Sequence, residues 1–327
     1  MPLLCSPFRS LMPFMIRPHP TTPNLPPLPR RAFLASLPSL GLGFAASCSS
    51  TAQTRTAIHP VALIPEQGQP DPLDDPAHGS DPAPLSAAID RETLAAVPVS
   101  ASQKVFDAYR PRGVSLWNLA WRDFDFTGVC WSGTRSGTVV GPRHVVCASH
   151  YPKNPGGAAY RPGATLNFTN PSGRPVIRTV VGAARATPDP ASGQPSPDIS
   201  CLLLDTPLPN TIRRYRVLPF AHPAALEGAH AVRTSYWGFK ASLIRIHRGS
   251  PTDYTATLVF YQDPAEPAWK GPQLKVGDSG NPVLILAGGY PCIVATHSTP
   301  SAGPCFLCPS ILETLRYTFQ NLEQTSA

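Results

Sequence analysis

"NPVLILAGGYPCIVATHS", residues 281–298, holds two short apolar runs parted by Gly288-Gly289. Runs of this length, rich in β-branched and aliphatic residues and bounded by turn residues, read as strands. The same texture recurs upstream in "TGVCWSG" (127–133), "GTVVGP" (137–142), "RHVVCAS" (143–149) and "ATLNFTN" (164–170). It continues in "VIRTVVGAA" (176–184), "ISCLLLD" (199–205), "AVRTSYWGF" (231–239) and "TATLVFYQ" (255–262). Many short strands at near-regular spacing predict an all-β sandwich or barrel. A long connection, "TPLPNTIRRYRVLPFAHPAALEGAH" (206–230), divides the strands into two groups. The chain ends otherwise: "PSILETLRYTFQNLEQ" places Ile311, Leu312, Leu315 and Phe319 at helical spacing, with Pro309 and Ser310 as a helix start. "QKVFDAYRP" (103–111) reads as a short helical turn.

Composition divides the 327 residues further. Of 42 prolines, many fall in the first hundred positions, in stretches such as "PFMIRPHPTTPNLPPLPRR" (13–31) and "HPVALIPEQGQPDPLDDPAHGSDPAPL" (59–85). Proline removes a backbone donor and fixes φ, so these stretches predict neither regular helix nor central strand. Residues 49–99 therefore read as a disordered Pro-rich linker, acidic with 2 Lys and Arg against 7 Asp and Glu. The foldable part is expected over 100–325, where 21 Lys and Arg stand against 13 Asp and Glu from Ser100 onward. That mild basicity is spread out, and the one short cluster, "TIRRYRVLP" (211–219), reads as solvated charge around core residues. It is not the clustered patch that nucleic-acid binding requires, and no nucleic-acid partner is expected.

Residues 1–48 carry an export signature. In "LPRRAFLASLPSLGLGFAASCSS" (28–50), Arg30-Arg31 precede Phe33-Leu34 and a short, moderately apolar stretch. The stretch is too short for a stable membrane anchor, and its order of basic, apolar and small residues is that of an export signal. The paired arginines resemble a bacterial twin-arginine signal. Cys48 after Ala45-Ala46-Ser47 resembles a lipoprotein cleavage site, although Ala45 stands where a larger aliphatic residue is usual. The expected location is outside the bacterial cytoplasm: periplasmic, lipid-anchored to the envelope through Cys48, or secreted. That anchor would be the sole membrane association.

A serine hydroxyl needs a base to take its proton and a third group to orient that base. Ser279 lies in "KVGDSGNPV" (275–283) between two glycines. Alone, that motif is equally a tight turn. The base candidates lie in "GPRHVVCASHYPKN" (141–154). His144 enters the apolar run, whereas His150 leaves it after small residues, at a strand end where a cleft can open; His150 is the expected base. In "SPDISCLLLDTPLP" (196–209), Asp198 stands at the lip of an apolar strand, where burial without a partner is costly. Asp205 closes the same run into a Pro-bounded turn. Asp198 is the expected orienting acid.

"VVCASH", then "DISCLLLDTPLP", then "GDSGNPV", in that order, resembles the chymotrypsin/trypsin superfamily. "SYWGF" (235–239) resembles that family's Gly-Trp-Gly region, and "CIVATHS" (292–298) its pocket-lining strand. The resemblance spans roughly Phe124 to Leu322. It implies two six-stranded antiparallel β-barrels with a C-terminal helix: a first barrel near 115–206, a second near 228–308 and the helix over 309–322. It further implies peptide-bond hydrolysis by His150, Asp198 and Ser279, with an oxyanion hole from the N–H groups of Gly277 and Ser279. A protein or peptide is the implied substrate, and no cofactor or metal is required. A catalytically silent binding module of the same fold and an esterase using the same triad remain alternatives.

Several positions depart from the family pattern. Tyr151 follows the histidine where a cysteine is usual, and Asn281 replaces the second glycine after the serine. No Ile-Val-Gly-Gly activation terminus is present, so Asp278 lacks the partner such a terminus supplies in the digestive enzymes. In the implied substrate pocket, Leu274 stands where glutamate-specific relatives carry a hydroxyl residue. His297 matches their pocket histidine, and it reads either as a plain pocket wall or as a group contacting an acidic side chain. Six cysteines lie in the domain: Cys130, Cys147, Cys201, Cys292, Cys305 and Cys308. An even count in an exported chain favours disulfides, with Cys130 and Cys147 as one candidate pair. A zinc site from Cys292, His297, Cys305 and Cys308, or buried thiols, are the other readings.

Overall fold

The computed structural model describes residues 60–64, 82–98, 103–132, 135–150, 160–192, 195–218, 226–236, 239–249, 257–261, 277–299 and 301–326. All lie within one compact unit, Thr54–Ala327. In chain order the elements are β1 (Val61–Ala62), α1 (Pro82–Ala96), β2 (Phe106–Ala108), β3 (Leu116–Trp117), β4 (Val129–Ser132), β5 (Arg135–Val139), β6 (His144–Cys147), β7 (Thr165–Thr169), β8 (Pro175–Arg185) and β9 (Ser200–Leu204). There follow β10 (Arg216–Val217), β11 (His230–Ser235), β12 (Lys240–Gly249), β13 (Thr257–Tyr261), β14 (Pro282–Ala287), β15 (Tyr290–Thr296), β16 (Ala302–Pro304) and α2 (Pro309–Ser326).

The first strand group forms a six-stranded sheet in the order β4-β5-β6-β9-β8-β7. β4 and β7 approach each other, so the sheet nearly closes into a barrel. Two-residue alternation sorts the side chains. Val145 and Cys147 of β6 and Leu202 and Leu204 of β9 fill the barrel with Leu166, Phe168 and Val180. Val146, Cys201 and Leu203 point the other way into the larger core shared with the second sheet. Both faces of β9 are thus buried, which is why "CLLL" after Ser200 is unbroken by polar residues.

The second sheet orders β1-β10-β15-β14-β11-β12-β13-β16. Ala295 of β15 also bridges Cys305, and the Phe306 N–H donates to the Val294 carbonyl at 2.9 Å, so this sheet curls back on itself too. The architecture is mostly β, with a nearly closed six-stranded barrel, a second sheet and a C-terminal helix, consistent with the chymotrypsin-like double barrel that the resemblance implies; the second sheet has eight strands rather than six, because β1 and β10 add to its edge, and its β10–β15 pair is parallel. In α2, Pro309 occupies the first position, where its missing N–H costs nothing. The predicted face Ile311, Leu312, Leu315 and Phe319 is buried.

Expectations change first in two segments. The segment 49–99 is not a disordered linker throughout. Val61–Ala62 adds an antiparallel edge to β10, Leu63 is fully buried, and Pro82–Ala96 is a helix packed on β14 and β11. The prolines at 82 and 84 fall in the first helical turn, where they are tolerated, and Ile89, Thr93 and Val97 form one buried stripe. Polar side chains of α1 then satisfy backbone donors of the second sheet. Asp90 Oδ1 accepts from His230 N at 2.6 Å and lies 2.8 Å from His230 Nδ1. Glu92 accepts from Gly288 N at 2.9 Å and from Gly289 N, and Thr93 Oγ1 accepts from Leu286 N at 3.0 Å. The second change is at "QKVFDAYRP", which supplies strand β2 rather than a helical turn. Phe106 stacks on Trp117 of β3 with ring centroids 4.2 Å apart, and that cross-strand aromatic pair favours the extended form.

All six domain cysteines are buried thiols. Cys130 on β4 and Cys147 on β6 are separated by β5, so the expected pair does not lie on adjacent strands. Burial pushes the Cys130 thiol up to about 12, which removes it as a nucleophile. Among the described residues, no three His, Cys, Asp or Glu side chains gather to hold a metal ion.

Candidate active site

Three chain ends from different elements converge. His150 follows β6, Asp198 precedes β9, and Ser279 sits on the turn before β14. β6 and β9 are antiparallel neighbours with Cys147 opposite Ser200, so the residues just beyond those ends meet at one rim of the first barrel. His150 Nδ1 lies 2.7 Å from Asp198 Oδ2, and His150 Nε2 lies 2.9 Å from Ser279 Oγ. The His150 side chain is 41% exposed and that of Asp198 27%, so the pair opens onto a surface while the acid stays partly shielded.

Asp198 is tied down beyond the histidine. Its Oδ1 accepts from Ser149 N at 3.1 Å and from Ser149 Oγ at 2.7 Å. Burial by itself would raise its carboxyl. Hydrogen bonds from His150 and Ser149, the nearby Ser298 hydroxyl and the histidine's charge outweigh that and hold it below the ordinary carboxylate value. A carboxylate kept ionised against one ring nitrogen fixes the tautomer that leaves the other nitrogen facing the serine. Ser149 and Ser298 are supporting groups that the sequence reading missed. The only local signals were a hydroxyl residue beside each histidine, at 149–150 and at 297–298.

The turn 277–281 carries the serine. Gly277 has φ 106° and Gly280 φ 81°, backbone angles that favour glycine. A Cβ on Gly280 would stand 2.6 Å from the Ser136 carbonyl oxygen and 2.9 Å from the Ala148 nitrogen. Gly280 is therefore where the second sheet's turn touches the first barrel. Gly280 N donates to the His297 carbonyl at 2.8 Å, and His297 N donates to the Asn281 carbonyl at 3.0 Å.

Asp278 is buried and is held from β11: Ser235 Oγ lies 2.9 Å from its Oδ1, and Tyr236 N donates to the same oxygen at 2.8 Å. Arg233, on the same strand, is pushed below its usual value by burial, and the Asp278 charge partly restores it. The partner that the sequence left unassigned is thus β11 itself. The remaining predicted residues fall as follows. His297 is 1% exposed, and its pKa is lowered to about 3 by burial and by Arg233, so its imidazole is neutral. His144 is buried 2.9 Å from Glu323 of α2, away from the serine, and Asp205 Oδ1 accepts from Thr206 N at 2.9 Å and Thr179 N at 3.2 Å as a turn residue. Leu274 and Cys48 lie outside the described residues.

No protein-family model matches the chain, and no curated protein does. Solved structures do match, 644 chains in all. One is neuropsin, a serine protease expressed in the limbic system of mouse brain, at 11% identity and a TM-score of 0.40, covering 62% of this chain and 96% of neuropsin. The likeness is one of fold.

Proposed function

We propose that the chain is a serine endopeptidase that hydrolyses peptide bonds through an acyl-enzyme. The observation that carries this reading is the continuous path Asp198 Oδ2–His150 Nδ1–His150 Nε2–Ser279 Oγ, with links of 2.7 and 2.9 Å. Its geometry suits proton transfer. Ser279 Oγ attacks the carbonyl carbon while His150 Nε2 takes its proton. Asp198 stabilises the resulting imidazolium, and the N–H groups of Gly277 and Ser279 receive the oxyanion. His150 then returns the proton to the leaving amine. Water, deprotonated by the same nitrogen, releases the acid and restores Ser279. No step calls on a metal or cofactor.

The leader at residues 1–48 supports export, and Cys48 supports a lipid anchor holding the domain at the cell envelope. A protein or peptide is the partner this reading requires, with Leu274 and His297 at its side-chain pocket. Fluorophosphonates react with an activated serine and with little else. The full chain should be labelled at Ser279, and Ser279→Ala and His150→Ala should not. Failure of a folded wild type to label would sink the reading and favour a silent binding module.

A further inference from the structure

Asn281 stands where the resembling family places a glycine, and it is fully buried. Two of its donors converge on one atom. Its backbone N–H and its Nδ2 both reach the Asp278 carbonyl oxygen, at 3.2 and 2.7 Å. That oxygen belongs to the peptide unit whose other end is the N–H of Ser279. In a trans peptide the C=O and N–H of one plane point in opposite directions, and no cis bond occurs among the described residues. Pinning the oxygen therefore sets the direction of the Ser279 N–H. The amide of Asn281 is itself oriented: its Oδ1 accepts from Thr234 Oγ1 of β11 at 2.9 Å, and Thr234 is also fully buried. With Oδ1 taken by Thr234, Nδ2 is the end turned to Asp278. Water is excluded from both partners, so nothing else competes for these bonds.

We propose that Asn281, oriented by Thr234, is a positioning residue of the oxyanion hole, holding the Asp278–Ser279 peptide so that the Ser279 N–H faces the developing negative charge. The inference rests on the proposed reaction and deepens it. The charge that this N–H meets exists in the transition state and not in the substrate, so a misaimed donor should lower kcat and leave KM nearly unchanged.

The test is steady-state kinetics per titrated active site on the full chain, with fluorophosphonate as the titrant. Complete removal of one oxyanion donor costs about 10²–10³ in kcat. Asn281→Ala leaves the donor present but less well aimed, and should lower kcat by roughly 10–100-fold with KM within about threefold. Thr234→Val keeps shape and removes the hydroxyl; it should lower kcat in the same direction by a smaller factor. Because both act through one amide, the double variant should be no slower than Asn281→Ala alone. The pH midpoint of kcat/KM should stay at the wild-type value, since His150 and Asp198 are untouched. A merely structural Asn281 predicts something different: fewer titratable sites and a lower melting temperature, with normal kcat per site, and that result overturns the proposal. If Asn281→Ala does not fold, Thr234→Val decides alone, and an unchanged kcat per site refutes the role. A folded wild type that no fluorophosphonate labels overturns the parent reaction and this inference with it, which separates that failure from a failure of Asn281 alone.

Discussion

Replacing Gly280 by alanine tests how the two barrels are brought into register at the site. The added Cβ would lie 2.6 Å from the Ser136 carbonyl oxygen and 2.9 Å from the Ala148 nitrogen. Both are backbone atoms of the first barrel, so no flexible side chain is available to yield. A carbon–oxygen contact relaxes to roughly 3.3 Å, which asks for a displacement of about 0.7 Å. A shift of that size directed along the bond carries Ser279 Oγ from 2.9 Å to about 3.6 Å from His150 Nε2, beyond useful hydrogen bonding. Misplacement on the order of 1 Å costs about 10² in rate. The strain of alanine at φ 81° adds about 1–2 kcal/mol of instability. The assay is the rate of fluorophosphonate labelling beside thermal unfolding. The expected outcome is labelling slowed roughly 100-fold with a melting temperature lowered by several degrees. Labelling within twofold of wild type, at unchanged stability, would refute the claim that this contact sets the serine–histidine distance.

Three further outcomes are expected. Asp198→Asn should fold and bind substrate normally while kcat falls about 10⁴-fold, because an amide no longer holds the working tautomer of His150; a loss under tenfold would contradict the orienting role. Stability should fall on acidification: His297 is held near 3, so the unfolded chain takes up its proton below about 6.5 while the folded chain resists, costing about 2 kcal/mol by pH 5. His144, also lowered by burial, adds in the same direction, and a melting temperature unchanged from pH 7 to pH 5 would count against both. Ile89→Ala should cost about 2–5 kcal/mol, since Ile89 is fully buried on the inner face of α1, and should lower the melting temperature by roughly 5–15 °C; no change would mean the helix is not part of the folded unit.

The longer strands were legible because their signal is local, whereas the short β1 and β2 were read as linker and helical turn. Unbroken burial in β6 and in β9 is written in four and five consecutive residues. Ser279, His150 and Asp198, which the proposed reaction uses, were legible for a related reason: each sits at a strand end or a glycine turn. The helix α1 was hidden by its surroundings. A compositional average over 49–99 registers prolines and acids, whereas the buried stripe Ile89, Thr93 and Val97 occupies only one face of four turns. The acids that resembled linker charge are bonded to His230 and the Gly288-Gly289 turn, which lie some 140 and 196 positions along the chain. No window of sequence contains both partners. The same holds for Asp278 and Ser235, separated by 43 positions, and for Asn281 and Thr234, separated by 47. Residues 1–48 and Leu274 lie outside the described residues.

Cutting of peptide bonds by Ser279, His150 and Asp198 can be read out at the level of product. The most direct measurement is to incubate the full chain with a mixed peptide library and map new termini by mass spectrometry, beside Ser279→Ala. New termini are expected from wild type and none from the variant. Cleavage that persists in Ser279→Ala, or a wild type that reacts with fluorophosphonate yet leaves every peptide intact, would contradict the proposed reaction.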